Sequence, residues 1–376
     1  MGLYEERLNR IKTTCNLEEP DRVPIISMIQ TYAVAYGNGK TQECIENKET
    51  EFSVFRKYLE DFYFDGTYLF GVNRPVKMFQ MLGNSMFFVA KDGITLQHRD
   101  NCILEDDEIE EYIQDPFRFL KKIGLPRRYP ELRKPFPQNL QALGAVLQEM
   151  LKFKGYTDQL PARLEKELQM PLVSPTLSEP PLDRYVGYRS FSKGMVDLRR
   201  RPEAVLRAVD ATYQNVAPPP VPLPDFPFIF LPVVTTNYIS RKQFEQFFWP
   251  SCKKLILQYL GLGAKVVIGF EGKCSYIYDC FLELPKGSVV ALIEESDIVQ
   301  AKKDIGHHVA ISGGIPIRLL KNGTKQQCID HVKRMIQECG PGGGFMLTMD
   351  KAPLSAADVN PENLRAVTEF VEMGGN

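Results

Sequence analysis

The stretch "KVVIGFEGKCSYIYDC" at 265–280 runs from a buried strand pattern into Glu271, with glycines at 269 and 272 and a cysteine at 274. A carboxylate at a strand end can serve as general acid, general base or hard ligand. Glycines beside it let a ligand approach closely; the plainer alternative is a rim glutamate paired with a lysine or arginine. A second acidic group, Glu294, Glu295 and Asp297, follows the next apolar run, "SVVALIEE". Strand alternation turns one glutamate inward and the other toward the helices. Glu294 is taken as the pocket candidate, and Asp297 as an acid of the first helical turn. Asp350 and Lys351 close the last apolar run, "GGFMLTMD". Asp350 is the expected partner of Glu271, because two acids in one hollow push their proton affinities apart and leave one acid and one base. Further candidates for substrate binding are Asp65 in "FDG", Asn73 and Arg74 as a carboxylate or phosphate site, and Asn237 and Tyr238 as pocket lining. Gly313 and Gly314 in "SGGIP" either admit a ligand against bare backbone, where amides can bind an anion, or form a tight turn. His307 and His308 precede a strand and so stand at the wrong end for catalysis.

These residues need a scaffold that gathers strand ends. From 228 onward, short Val- and Ile-rich runs alternate with helical stretches: 241–260 capped by Ser240 with Gln243 in a capping box, 276–284, 297–305 capped by Ser296, and 325–338. The series ends in "NPENLRAVTEFVEMG", and such alternation predicts parallel strands with crossover helices. Earlier, "VPIISM" (23–28) and "FDGTYLF" (64–70) read as strands, 50–62 as a helix, and "MFFVAKDGITLQHRD" as a hairpin turning at Asp92 and Gly93. Residues 155–185 show no clear period, and "APPPVPLPDFP" (217–227) reads as a semi-rigid connector. The simplest sum is one α/β domain over 1–376, a (β/α)8 TIM barrel with insertions in its N-terminal half at about 75–135 and 155–227. A doubly wound open sheet is the alternative.

Composition narrows the partners. A formal net charge of -1 provides no field for nucleic acid or anionic lipid, so a small-molecule substrate is expected. No apolar run approaches the ~20 residues of a membrane span, and "MGLYEERLNRIK" reads as an amphipathic helix, so a cytoplasmic protein is expected. Eight cysteines without a CxxC pair argue for reduced thiols and against a zinc ribbon.

"PDRVPI", "FWPSCKKLILQYLGLGAKVVIGFEG", the run from "LPKGSVVALIEESD" to "GGIPIRLLKNGT", and "GGGFMLT" with "NPENLRAV" together resemble the uroporphyrinogen decarboxylase superfamily. The resemblance is specific over about 228–370 and looser over 1–135. It implies a (β/α)8 barrel and either decarboxylation or methyl transfer to or from corrinoid proteins and thiols. The Arg-rich segment of the decarboxylase is replaced by "ISMIQTYAVAYGNGK", and its C-terminal "HG" histidine by "TMDKAP". The HxC zinc ligands of thiol-directed methyltransferases fall on Gly269, Phe270 and Glu271, and the later cysteine near Asp350 or Lys351, so zinc is not expected. The expected function is a methyltransferase moving a methyl group between a small methylated compound and a corrinoid carried by a partner protein, with Glu271 and Asp350 catalytic. The alternatives are decarboxylation of a tetrapyrrole-type substrate and non-catalytic corrinoid binding.

Overall fold

The computed structural model describes residues 2–72, 74–83, 86–214 and 228–375. The fold is α/β, built on a six-stranded parallel sheet. Its strands are β5 (Thr176–Leu177), β6 (Phe228–Val233), β7 (Lys265–Phe270), β8 (Val289–Ile293), β9 (Ala310–Ile315) and β10 (Phe345–Met349), in the spatial order β10-β9-β8-β7-β6-β5. The apolar runs after 228 are these strands, buried on both faces as parallel strands under helices must be. Two further strands, β1 (Ile26–Ser27) and β2 (Gly66–Thr67), pair in parallel with each other. Regular ladders stop at β10 and β5, and isolated parallel bridges continue the succession: Ile25 with Leu347, and Thr67 with Leu172. Leu347 N donates to Pro24 O at 2.8 Å, and Val173 N to Thr67 O at 2.8 Å.

Helices lie outside these strands. The capping box at Ser240 and Gln243 forms as expected, opening a helical stretch that passes through a π-turn at Phe244–Phe248 into Trp249–Gly261. The helix Ile298–Ile305 is capped by Asp297, whose carboxylate accepts from Val299 N (2.9 Å) and Gln300 N (3.1 Å). Ser296 is not the cap, because its hydroxyl is taken by Cys274 N at 2.9 Å.

The first half departs further from its expected outline. Residues 155–185 lack a visible period because they straddle an element boundary: a 31-residue helix, Gln138–Leu168, contains Pro161 and ends at Gln169 in the left-handed region, φ 51°. The expected hairpin is present as β3 (Phe87–Val89) and β4 (Leu96–His98), with the Asp92 carboxylate accepting from Ile94 N and Thr95 N at the turn. The connector at 217–227 lies outside the described residues. Among the described residues, no helix is long and apolar enough to cross a membrane.

One apolar cluster fills the space between sheet and helices. A smaller one, including Ile26, Tyr68, Val173, Phe230, Val267, Leu292 and Met346, lies on the other face of the strands. Tyr68 closes it with a hydroxyl that donates to Ser312 Oγ at 2.8 Å. This plug is the floor on which the candidate site rests.

Candidate active site

A cavity of about 490 Å3 opens at the carboxyl ends of the strands. Strand parity decides who lines it. On β7 the wall includes Gly269 and Glu271, on β8 Leu292 and Glu294, and on β6 Phe230 and Pro232, each pair two residues apart as a pleated strand requires. Asp350 follows β10 in phase with Met346 of the floor. Glu295, out of phase, lies at the exposed rim. The hairpin β3–β4 contributes Phe87, Leu96, Gln97 and His98 to the wall, and Gly71, Val72 and Arg74 also line it.

The acids differ in their partners. Glu294 is tied down: it accepts from Gly272 N and pairs with Lys351 Nζ at 2.8 Å, and Lys351 also holds Glu295 at 2.8 Å. Asp350 accepts from Ile317 N at 2.9 Å. Glu271 accepts no hydrogen bond and joins no ion pair through its side chain among the described residues, although its backbone N–H is anchored on Val233 O at 3.0 Å. It keeps solvent contact within the hollow, yet crowding by protein, and then the negative charge of Glu294, raise its pKa above the ordinary glutamate value; Lys351 and Arg74 pull the other way. Burial likewise raises Asp350, again with a contribution from Glu294. The expected direct coupling of Glu271 to Asp350 therefore gives way to a trio in which Glu294 acts on both.

Cations and an imidazole face these acids. Arg74 reaches into the hollow with its guanidinium 4.9 Å from the centroid of the Phe87 ring, a cation–π distance, and retains solvent contact while protein surrounds it. His98 lies 5.1 Å from the same ring, and burial, then Arg74, lower its pKa below the usual value, favouring the neutral imidazole. Sequence reading passed over His98 because the hairpin looked remote; its place directly after "ITLQ" on a strand edge is the only signal that pointed to it.

Several candidates fall elsewhere. Asp65 immediately precedes β2 and is therefore at the amino end of the strands, fully buried and paired with Arg10 (2.6 Å) and Arg22 (2.9 Å). Gly313 and Gly314 lie within β9 and do not open into a loop. A Cβ on Gly313 would meet Ile293 O and the Ile298 side chain at 2.8 Å, so it permits close packing rather than ligand entry. Asn237 backs onto Gly272 from behind the wall, and Tyr238 is 59% exposed with its ring against Phe191. Asn73 lies outside the described residues. Cys274, three residues beyond Glu271, is buried beside Ser296, and burial pushes its thiol up to about 11. No three His, Cys, Asp or Glu side chains gather in metal-binding range among the described residues.

The wall at 71–72 has its own support. Glu51, fully buried, accepts from Val72 N at 2.8 Å and from Lys48 Nζ at 3.1 Å, beneath Gly71 at φ 77°. A Cβ on Gly71 would stand 2.8 Å from the Glu51 carboxylate. Gly71→Ala should therefore cost about 1–3 kcal/mol through backbone strain and displacement of Glu51. A thermal melt would register this as a fall of about 1–4 °C, and an unchanged melting temperature would mean that the wall is not held in this way.

Comparison with known proteins agrees with this architecture. Residues 225–373 match the family model described as uroporphyrinogen decarboxylase (URO-D). No curated protein gives a match to the chain. Among the solved structures that match is a methyltransferase from Methanosarcina mazei, 14% identical, with a TM-score of 0.65 and 98% of each chain covered. At that identity the likeness shows a shared fold. The part of the chain that carries β6 to β10, and with them Glu271, Glu294 and Asp350, lies within the stretch that is similar to that family.

Proposed function

We propose that the chain is a single-domain (β/α)8 enzyme that moves a methyl group between a small methylated compound and a corrinoid held by a partner protein. The bridges Ile25–Leu347 and Thr67–Leu172, which link the edges of the two parallel sheets, support the barrel reading. The observation that carries the chemistry is Glu271: a carboxylate without a protein partner among the described residues, its pKa raised, on the wall of a largely apolar hollow. Such a group keeps its proton to higher pH and can hand it to an oxygen or nitrogen as the methyl group leaves. A cavity of about 490 Å3 suits a small molecule, so a corrinoid would lie across the mouth and not inside. The cobalt of the carrier would supply the methyl acceptor or donor. The residues of this chain bind and orient the methylated compound, exclude water through Phe87 and Phe230, and hold the proton on Glu271. A tetrapyrrole with many carboxylates would need several free cations. The described lining offers Arg74 and Lys351, and Lys351 is already engaged by two glutamates.

The test is turnover with cob(I)alamin as acceptor and a panel of methoxylated aromatics and methylamines. No methyl transfer from any of them, by protein shown to be folded, would count against the reading. With an active compound in hand, the rate should be flat on the acid side of the Glu271 titration and fall as pH rises through it, because the working form is the protonated acid. A rate that instead rose through that range would assign Glu271 the role of base.

A further inference from the structure

The helix Gln138–Leu168 carries an apolar face that no described residue covers. Phe136 just before it, and Leu140, Leu143, Leu147, Met150 and Leu151 along it, are 77, 57, 49, 50, 45 and 61% exposed. At 100° per residue these positions fall within an arc of about 100°, which is the width of a core-facing stripe. The other face of the same helix, through Asn139, Ala142, Val146, Glu149 and Phe153, is half-buried and turned toward the body, where the helices Val76–Met81 and Lys48–Asp61 pack against it. The exposed residues are therefore not the inner side of a misjudged core helix.

Charge sets this face apart from an ordinary solvated one. From 135 to 148 the chain reads "PFPQNLQALGAVLQ", fourteen residues without a charged side chain, whereas the C-terminal part of the helix is dense in Lys, Arg, Glu and Asp. Interface cores are depleted in charge in this way. The apolar patch amounts to roughly 500 Å2, at the upper end of what a monomer ordinarily leaves exposed. With its glutamine rim it approaches the ~800 Å2 per partner of a stable interface.

We infer that this face pairs with the same face of a second copy of the chain, the two helices running antiparallel about a two-fold axis between residues 145 and 146. From Phe136 to Leu151 the stripe itself carries no charge, and Lys154 beyond it is neutralised by Asp158, so the face meets itself without like-charge repulsion, which a two-fold contact requires since each patch faces its own copy. The register is also self-complementary. Gly144, beyond which there is open space, comes opposite Leu147 of the second copy, and Leu140 comes opposite Leu151. The substrate cavity is on separate walls, so the pairing does not depend on the proposed chemistry.

Sedimentation or light scattering of the full chain between 1 and 100 µM tests the pairing. The wild type should have twice the monomer mass, and Leu143→Glu with Leu147→Glu should halve it while leaving the circular dichroism and melting curve of each chain in place. The orientation is read by mixing Leu140→Cys and Leu151→Cys copies under mild oxidation, since seven native cysteines are buried and Cys102 is half-buried. Mixed disulfide dimers are expected. A wild type that stays monomeric at 100 µM, a dimer that the double variant leaves intact, or linkage confined to like copies would each overturn the assignment.

Discussion

Glu271→Gln is expected to lower the rate of methyl transfer by about 10²–10⁴-fold, the range of general acid catalysis, with little change in substrate affinity and no loss of folding. The variant keeps the shape of the side chain and its polarity but cannot release a proton. Its stability should be unchanged or higher, and the sign follows from linkage. The folded-state pKa of Glu271 is raised above the ordinary value of 4.5, so the fold binds that proton more tightly than the unfolded chain does. The associated stability is present at low pH and is lost as pH rises through the folded pKa. At neutral pH the ionised carboxylate is under repulsion from Glu294, which a neutral glutamine removes. Steady-state kinetics beside a melting curve would check both halves. A variant with full turnover and an unaltered pH profile would reduce Glu271 to a wall residue, and with it the proposed chemistry.

The legible part of this molecule is the part in which local signals and global fold agree. After 228, apolar runs, caps and crossovers recur with regular spacing, and the strand ends could be located to within a residue or two. Since a strand points alternate side chains to alternate faces, one glutamate at the end of β8 had to turn inward, but only the phase of the folded strand puts Glu294 on the cavity wall and Glu295 at the rim. Where a single residue decides the outcome, sequence was a weaker guide. Ser296 and Asp297 are both good caps, and only the contact of Ser296 with Cys274 N leaves Asp297 to do the capping. Gly313 and Gly314 read either as a ligand opening or as a tight turn, because glycine pairs usually mark turns, but here they lie within β9 and let it pack closely against its neighbours. The helix Gln138–Leu168 was obscured for a different reason: its apolar residues face outward over the first half, so they do not fall into register with the buried Leu160 and Leu164 beyond. The hairpin wall is a tertiary fact. Nothing local to "ITLQHRD" says that it folds over the carboxyl ends of strands well over a hundred residues away.

Asp65 shows how the face of a strand separates stability from function, and its removal should be the largest structural loss among the residues considered. The carboxylate is completely buried, accepts from Arg10 Nη1, from both Arg22 terminal nitrogens, from the Tyr63 hydroxyl and from Ile25 N, and so fastens the first helix and the start of β1 to β2. Arg10 is itself mostly buried and also bound to Asp21 at 2.5 Å, so it cannot swing to water when Asp65 is removed. Breaking one side of a buried pair leaves an uncompensated charge and costs about 3–5 kcal/mol. Asp65→Ala should therefore lower the melting temperature by about 4–6 °C, while the molecules that remain folded at low temperature turn over with wild-type KM and kcat. Chemical denaturation together with kinetics at 15 °C separates the two effects. Normal stability combined with a raised KM would return Asp65 to the substrate site, and would place the working end of the strands opposite to Glu271.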